Sequence, residues 1–386
     1  MKTIPYGKQF ISELDIQAVS SVLQDDFLTQ GPKVKEFEDK FASYIGSQYA
    51  VAVSNGTAAL HLSALALGVQ EGSRVITSPI TFTSSANCIR FCGGTIEFCD
   101  IDPSTNCLDI NAVRTKLESA PKGTYQGIIP VDFAGYAVDM EAFRELADEY
   151  GLWILEDSCH APGGFFNSKN GDQQNCGNGK FADAAIFSFH PVKHIACGEG
   201  GMVTTNDLKI YKKLLLLRSH GITKDPNELT KNDGGWYYEM QSLGYNYRMP
   251  DLLCALGISQ LDRAEEGLII RREIAKKYTE SFSGLPITIP KSSLHQGHAF
   301  HLFVIQVDER KVLYDYLKGN GISAQIHYIP VHKQPYYVEL YGEQVFKHAE
   351  EYYKRCISIP MYPSLSSNDQ DYVIETIVQF YKQNHV

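Results

Sequence analysis

Between residues 49 and 206, short β-rich runs alternate with segments whose apolar residues recur every three or four positions. No other feature of this 386-residue chain restricts its fold as much. Strands are expected at 49–54, 74–78, 95–100, 127–131, 153–156, 184–188 and 202–205, with helices such as 58–67 and 140–150 between them. Strands joined through helices run parallel, because a parallel neighbour needs a long crossover connection. The expectation is an α/β fold with a mostly parallel central sheet flanked by helices, which takes its ligands at the carboxyl ends of the strands. A long helical stretch from 250 through 278, ending near 284–286, reads as a bridge to a smaller α/β part. That part has strands at 301–307 and 323–328 and helices at 310–317, 346–356 and 372–381. The chain thus divides into a large domain, 1–250, and a bridging helix with a small C-terminal domain, 251–386. The polar, glycine-rich stretch 167–180 is expected to be a surface loop.

Two strand ends carry complementary groups. Leu152-Trp153-Ile154-Leu155 runs into Glu156-Asp157-Ser158-Cys159-His160, and Ala184-Ala185-Ile186-Phe187 runs into Ser188-Phe189-His190-Pro191-Val192-Lys193-His194. A strand-end carboxylate followed by a lysine past the next strand is what pyridoxal phosphate chemistry requires. The lysine holds the cofactor aldehyde as a Schiff base, and the carboxylate keeps the pyridine nitrogen protonated so that the ring withdraws electrons. Lys193 and Asp157 are the candidates.

Other motifs read in two ways. Ser54-Asn55-Gly56-Thr57-Ala58-Ala59-Leu60 follows a strand and opens a helix, so it serves as a plain helix cap or as a cradle for a phosphate. Beside Asp157 and Lys193 the cradle is preferred, with Ser188 supplying a further hydroxyl. In Ile80-Thr81-Phe82-Thr83 the aromatic can stack on a pyridine ring or simply fill the core. His160 is within reach of a cofactor's phenolic oxygen or is one more satisfied polar residue. Gly244-Tyr245-Asn246-Tyr247-Arg248 precedes a helix, where Asn and Arg cap and pair or donate to phosphate. His327-Tyr328-Ile329-Pro330 lines a cleft or ends an edge strand.

Bulk properties narrow the function. A formal net charge of −10 argues against a nucleic-acid surface, since phosphate contacts need an excess of Lys and Arg. The N-terminal residues include no apolar signal-peptide core, and no run of about 18 apolar residues suggests a membrane span. The nine scattered cysteines, Cys88 and Cys92 among them, lack a second pair at zinc-site spacing. They read as reduced thiols of a cytoplasmic protein with no metal.

Taken together, Phe27-Leu28-Thr29-Gln30-Gly31-Pro32, the 54–60 motif, Glu156-Asp157-Ser158-Cys159-His160-Ala161, Ser188 through Lys193, Glu199-Gly200-Gly201 and Gly244 through Arg248 resemble the DegT/DnrJ/EryC1/StrS sugar aminotransferases. These are fold type I pyridoxal-phosphate-dependent transferases. The resemblance implies that Lys193 is the Schiff-base lysine and general base, Asp157 the partner of the pyridine nitrogen, and His160 the neighbour of the phenolic oxygen. It implies that Phe82 stacks on the ring, that Gly56, Thr57 and Ser188 hold the phosphate, and that Asn246 reaches the phosphate bound by a second copy in a homodimer with shared active sites. Tyr6, Phe27, Leu28, Thr29, His327 and Tyr328, with neighbouring Ile329 and Pro330, become candidate sugar contacts. Arg248 is the candidate for the glutamate carboxylate.

Within the family the resemblance runs toward the C4 aminotransferases of pseudaminic acid biosynthesis, through Ile4-Pro5-Tyr6-Gly7, Arg218-Ser219-His220-Gly221, Trp236-Tyr237-Tyr238-Glu239, the 327–337 segment and Ile359-Pro360-Met361-Tyr362-Pro363. It implies a UDP-2-acetamido-2,6-dideoxy-4-hexulose as acceptor, L-glutamate as donor and 2-oxoglutarate as by-product, in a ping-pong cycle. Rival readings are another nucleotide-sugar C3 or C4 aminotransferase, a sugar 3-dehydratase and a non-catalytic binding protein on the same fold. Lys193 argues against the dehydratase, since those enzymes carry histidine at that position.

Overall fold

The carboxyl ends of parallel strands converge where the sequence concentrates its polar motifs. In the computed structural model, which describes residues 3–290 and 297–384, the first nine strands are β1 Tyr49–Val53, β2 Arg74–Thr77, β3 Thr95–Phe98, β4 Gly127–Ile129, β5 Trp153–Asp157, β6 Phe165–Asn167, β7 Gln173–Asn175, β8 Ala184–Ser188 and β9 Gly201–Thr205. Seven of them form one sheet in the order β1-β9-β8-β5-β4-β2-β3. From β8 through β3 every pair is parallel, whereas β9 runs antiparallel to both β8 and β1. No helix separates β8 from β9, so the chain reverses directly, and the reversing segment carries Lys193.

Seven helices accompany this sheet: α1 Glu13–Val22, α2 Pro32–Ile45, α3 Gly56–Ala66, α4 Ser84–Phe91, α5 Ile110–Glu118, α6 Met140–Tyr150 and α7 Leu208–Arg218. Local chemistry sets their ends. Asp139 caps α6 by accepting from the Ala142 amide at 3.1 Å, and Gly151, at φ 70°, stops it in a conformation that costs a side chain energy. Between those ends Met140, Phe143, Leu146 and Ala147 face the sheet, and the other face is polar. α3 is enclosed almost all round, which explains its small and apolar composition.

The expected single bridging helix is two, α8 Asp251–Leu261 and α9 Ala264–Ser281. The break at Asp262–Arg263 is anchored by Arg263, which pairs with Asp15 at 2.5 Å. Both helices bury residues at helical spacing, so the apolar pattern runs across the break unmarked. Beyond them, β12 Phe303–Gln306 pairs antiparallel with β13 Cys356–Ile359, after the short pair β10 Ile222–Thr223 and β11 Glu239–Met240. The helices α10 Arg310–Gly319, α11 Pro335–Tyr341, α12 Lys347–Arg355 and α13 Ser367–Asn384 complete the fold. A separate apolar core here joins Tyr278, Phe303, Ile305, Leu313, Leu317, Ile357, Ile377 and Ile4.

Two further expectations are corrected. The segment 323–328 is not a strand. Ile322 bridges to Ile4 and Gln325 to Ser358, and each is a single isolated contact because the chain turns away toward the sheet edge. Nor is 167–180 simply a surface loop. It holds the last residue of β6, the turn and all of β7, buries Gln174 and Cys176, and sets Gly177 against β8. There the Gly177 amide donates to Glu156 at 2.9 Å, and its carbonyl accepts from Thr204 at 2.6 Å.

Arg271 on α9 locks the helix to the C-terminal segment. It is 1% exposed and donates through Nη1 to the carbonyls of Phe300 at 3.0 Å and Met361 at 3.1 Å. Among the described residues no carboxylate pairs with it. Arg271→Met strands those carbonyls and is expected to lower stability by about 3 kcal/mol, read as a reduced urea midpoint with an unchanged slope.

Candidate active site

Asp157 pairs with Ile186 in the register of β5 and β8, and Ser188 pairs with Gly201 in that of β8 and β9. Asp157, Ser188 and the start of the Lys193 segment therefore lie along one edge of the sheet. Opposite them stands the N-terminus of α3. A cavity of about 660 Å³ opens between these elements, lined by Gly56, Thr57, Phe82, Asp157, His160, Ser188, Lys193, Tyr6, His301, His327 and Tyr328, among others.

One end of the cavity is shaped for an anion. Asn55 accepts from the Ala58 amide at 2.8 Å and so caps α3, while the amides of Gly56 and Thr57 have no acceptor within the helix. A Cβ on Gly56 would stand 3.0 Å from that of Ser188, and one on Gly201 would stand 2.6 Å from the Asn55 carbonyl. Glycine at both positions lets strand and helix approach closely. Thr57 Oγ1 lies 2.7 Å from Ser84 Oγ, which brings a second hydroxyl to the same end.

At the other end is the Asp157 carboxylate, buried and held on both oxygens. Ser85 donates to Oδ2 at 2.6 Å and the Cys159 amide donates to Oδ1 at 3.2 Å. Behind it, Asp132 and Glu156 form a buried carboxyl pair. Burial raises both, Asp132 to about 6, and they share Ser158 as a hydrogen-bond partner, 2.8 Å from Asp132 and 3.0 Å from Glu156. One proton held between them leaves the pair with a single negative charge and keeps a third from crowding Asp157.

The walls are aromatic and imidazole. Phe82 is 57% exposed, its ring turned to open space with Tyr328 6.1 Å away. The Ala134 amide donates to His160 Nδ1 at 3.2 Å, so the proton of the neutral ring sits on Nε2 and is donated to Tyr328 Oη at 3.2 Å. The Tyr328 hydroxyl is left to donate its own proton elsewhere. Burial pushes its phenol above the ordinary range, so it stays protonated. His327 lies 2.8 Å from Ser358 Oγ through Nδ1, packs on the Tyr6 ring with centroids 5.3 Å apart, and is pushed down to about 3 by burial.

Lys193 completes the enclosure. Its amide donates to His190 O at 2.8 Å, and its Nζ lies 3.4 Å from His301 Nε2. Burial pulls the amine below its ordinary value, an effect that Cys159 and Asp157 partly offset and Arg271 adds to. That direction favours the uncharged amine, the form in which a lysine acts as nucleophile and base.

Not every sequence candidate lies in this cavity. Tyr6, Gly56, Thr57, Phe82, Asp157, His160, Ser188, Lys193, His327 and Tyr328 line it. Phe27, Leu28, Thr29, Asn246, Arg248, Ile329 and Pro330 do not. Phe27, Leu28, Thr29, Asn246 and Ile329 are exposed, and Asn246 bridges to Ser219 through the backbone. Ser85 and His301 belong to the site without having been singled out. A serine inside an apolar helix and a histidine ahead of an apolar run carry no periodic signal.

A buried lysine, a clamped carboxylate and a glycine-lined helix N-terminus at one edge of a sheet with this strand order fit pyridoxal phosphate. Sheet and cavity define a fold type I pyridoxal-phosphate-dependent aminotransferase. The chain belongs to the DegT/DnrJ/EryC1/StrS aminotransferase family, whose model matches residues 9–378. It is 40% identical over 384 residues to the spore coat polysaccharide biosynthesis protein SpsC of Bacillus subtilis, covering 97% of this chain and 96% of that protein. It is 36% identical over 382 residues to the UDP-4-amino-4,6-dideoxy-N-acetyl-beta-L-altrosamine transaminase of Campylobacter jejuni, covering 97% and 96%. Its structure superposes with a TM-score of 0.89 on Helicobacter pylori PseC, an aminotransferase involved in the biosynthesis of pseudoaminic acid, at 30% identity and over 99% and 100% of the two chains. It is thus a pyridoxal-phosphate-dependent sugar aminotransferase. No helix among the described residues is long and apolar enough to cross a membrane.

The histidines fix a pH response. Burial holds His160, His194, His301 and His327 well below the usual imidazole range. Below about pH 6.5 the unfolded chain takes up protons that the native state refuses, so each histidine removes up to about 1.4 kcal/mol per pH unit. Asp132 and Glu156, raised in the native state, act in the opposite sense but number two against four. The melting temperature of the cofactor-free chain should therefore fall between pH 6.5 and pH 5. A flat or rising profile would contradict this charge assignment.

Proposed function

We propose that this enzyme transfers the amino group of L-glutamate to C4 of a UDP-2-acetamido-2,6-dideoxy-4-hexulose. The products are 2-oxoglutarate and UDP-4-amino-4,6-dideoxy-N-acetyl-β-L-altrosamine. The observation that carries the chemistry is Lys193 and Asp157 lining one cavity with the α3 anion cradle beside them. The sugar assignment is supported by similarity over nearly the full length to the Campylobacter jejuni transaminase and to PseC. A second reading, amination of a different nucleotide-linked keto sugar, is favoured by the higher identity to SpsC.

In this reading Lys193 holds the cofactor, Asp157 steadied by Ser85 faces its ring nitrogen, and Gly56, Thr57 and Ser188 take its phosphate. Phe82 covers the ring and His160 stands at the phenolic oxygen. When bound, pyridoxal phosphate supplies an electron-withdrawing ring that acidifies the carbon bearing the amino nitrogen. Lys193, uncharged once released, takes the proton from that carbon of glutamate and later delivers a proton to C4 of the sugar. Tyr6, His327 and Tyr328 orient the sugar, and the Tyr328 hydroxyl, already accepting from His160, donates to a sugar oxygen. Arg248 is the proposed holder of the glutamate carboxylate.

Asn246 and the 27–29 segment act in the cavity of a second copy. Exposed Phe10, Leu14, Phe27, Leu28, Trp236 and Leu243 support that homodimer as apolar surface awaiting burial. Nine free thiols support a reducing, cytoplasmic setting.

Lys193→Ala should abolish the visible absorption of the bound cofactor together with transamination, a loss of at least about 10³-fold. Retained turnover would remove Lys193 from this role. Tyr328→Phe should slow the sugar half-reaction by about 10-fold and leave the glutamate half-reaction nearly unchanged, as measured by rapid mixing. The sugar is tested with a panel of UDP- and dTDP-linked keto sugars and glutamate, with product stereochemistry read by NMR. A 4-amino product from the UDP-4-hexulose is expected. Preference for a dTDP sugar, or a 3-amino or 3-deoxy product, would overturn the assignment.

A further inference from the structure

His301 touches the reacting nitrogen, and the chemistry above leaves it without a role. It precedes β12 by two residues, is 4% exposed and lines the cavity. Its ring packs on His160 with centroids 4.3 Å apart and lies 5.9 Å from His194. Nε2 is 3.4 Å from Lys193 Nζ. Nδ1 is buried and has no hydrogen-bond partner among the described residues.

Hydrogen-bond satisfaction selects the tautomer. A neutral imidazole bears its proton on one nitrogen and a lone pair on the other. A proton on Nδ1 would be a buried N–H with no acceptor, and orphaned donors are rarer in native structures than under-used acceptors. On Nε2 the proton has an acceptor, the lone pair of a free Lys193 amine. The titratable and charged groups around the pair are Asp157, Cys159 and His160 at the end of β5, His194 beside Lys193, Arg271 on α9, and His327 and Tyr328 across the cavity. Burial above all, with the Arg271 cation adding to it, keeps His301 uncharged.

We propose that His301 is a positioning residue for Lys193: its Nε2–H donates to Nζ whenever that nitrogen is free, and so holds it as an uncharged amine ready to accept the substrate's proton. An ammonium at Nζ would set N–H against N–H unless the ring shifted its proton to the partnerless Nδ1. Once protonated, Lys193 therefore loses its contact with His301, which favours giving the proton up again. This deepens the function proposed above and rests on Lys193 being the nitrogen that carries the cofactor and moves the proton.

The test uses the full chain freed of pyridoxal phosphate. In histidine-labelled protein the ring ¹⁵N shifts should report a protonated Nε2 and a bare Nδ1 for His301, its signal assigned by its loss in His301→Gln. The second readout is the rate at which Lys193 captures added pyridoxal phosphate as a function of pH. His301→Gln offers an oxygen acceptor to the ammonium, so the midpoint should rise by about one pH unit, a tenfold loss of free amine at fixed pH. His301→Phe fills the space without an acceptor and should move the midpoint much less. The opposite tautomer in the wild-type chain, or equal shifts in the two variants, would overturn the proposal, since a merely structural role moves both alike. If the wild-type chain captured no pyridoxal phosphate at Lys193, the reading of Lys193 itself would fall, and this proposal with it.

Discussion

Asp157 and Lys193 are kept from pairing with each other, and the site depends on that separation. An acid and an amine in poorly solvated surroundings gain much from direct contact, and collapse into an ion pair would close the space between them. The fold prevents this by giving each another partner. Ser85 and the Cys159 amide occupy the two oxygens of Asp157, while Lys193 Nζ faces His301. The cavity that remains is a consequence of those commitments, and the direct reversal from β8 into β9 sets the lysine on the right edge to use it.

Charge elsewhere in the site follows the same economy. Four imidazoles near the cavity are held neutral by burial, and the carboxyls of Asp132 and Glu156 share a proton. Arg271 adds a buried cation that leans on carbonyls rather than on a carboxylate. Asp157 is thereby left as the carboxyl group facing the cavity from β5, with an amine whose hold on its proton burial weakens in the same chamber. That distribution suits an electron-withdrawing cationic ring on one side and a proton-accepting nitrogen on the other.

The parallel part of the sheet was legible because each strand is a short apolar run set off by an amphipathic helix, and 184–188 and 140–150 fall where periodicity puts them. The division of the long C-terminal helix was not, since Ile258, Leu261, Ala264 and Leu268 continue the burial pattern across Asp262 and Arg263. Residues 323–328 look like a strand in composition, yet a strand needs a neighbour, and Ile4 and Ser358 each supply only one bridge. Lys193 and Asp157 could be read because strand ends mark them. Ser85 and His301 could not, because what makes them important is a partner 72 or 108 residues away. The candidates outside the cavity, Asn246 and the 27–29 segment above all, do not reach Lys193 within one chain, and nothing in their spacing marks that.

The most direct measurement is covalent. Borohydride reduction of the cofactor-loaded enzyme, followed by digestion and peptide mass mapping, identifies the lysine joined to pyridoxal phosphate. A pyridoxyl mass is expected on the peptide containing Lys193 and on no other. A label on a different lysine, or no label from a protein that carries the cofactor, would contradict it.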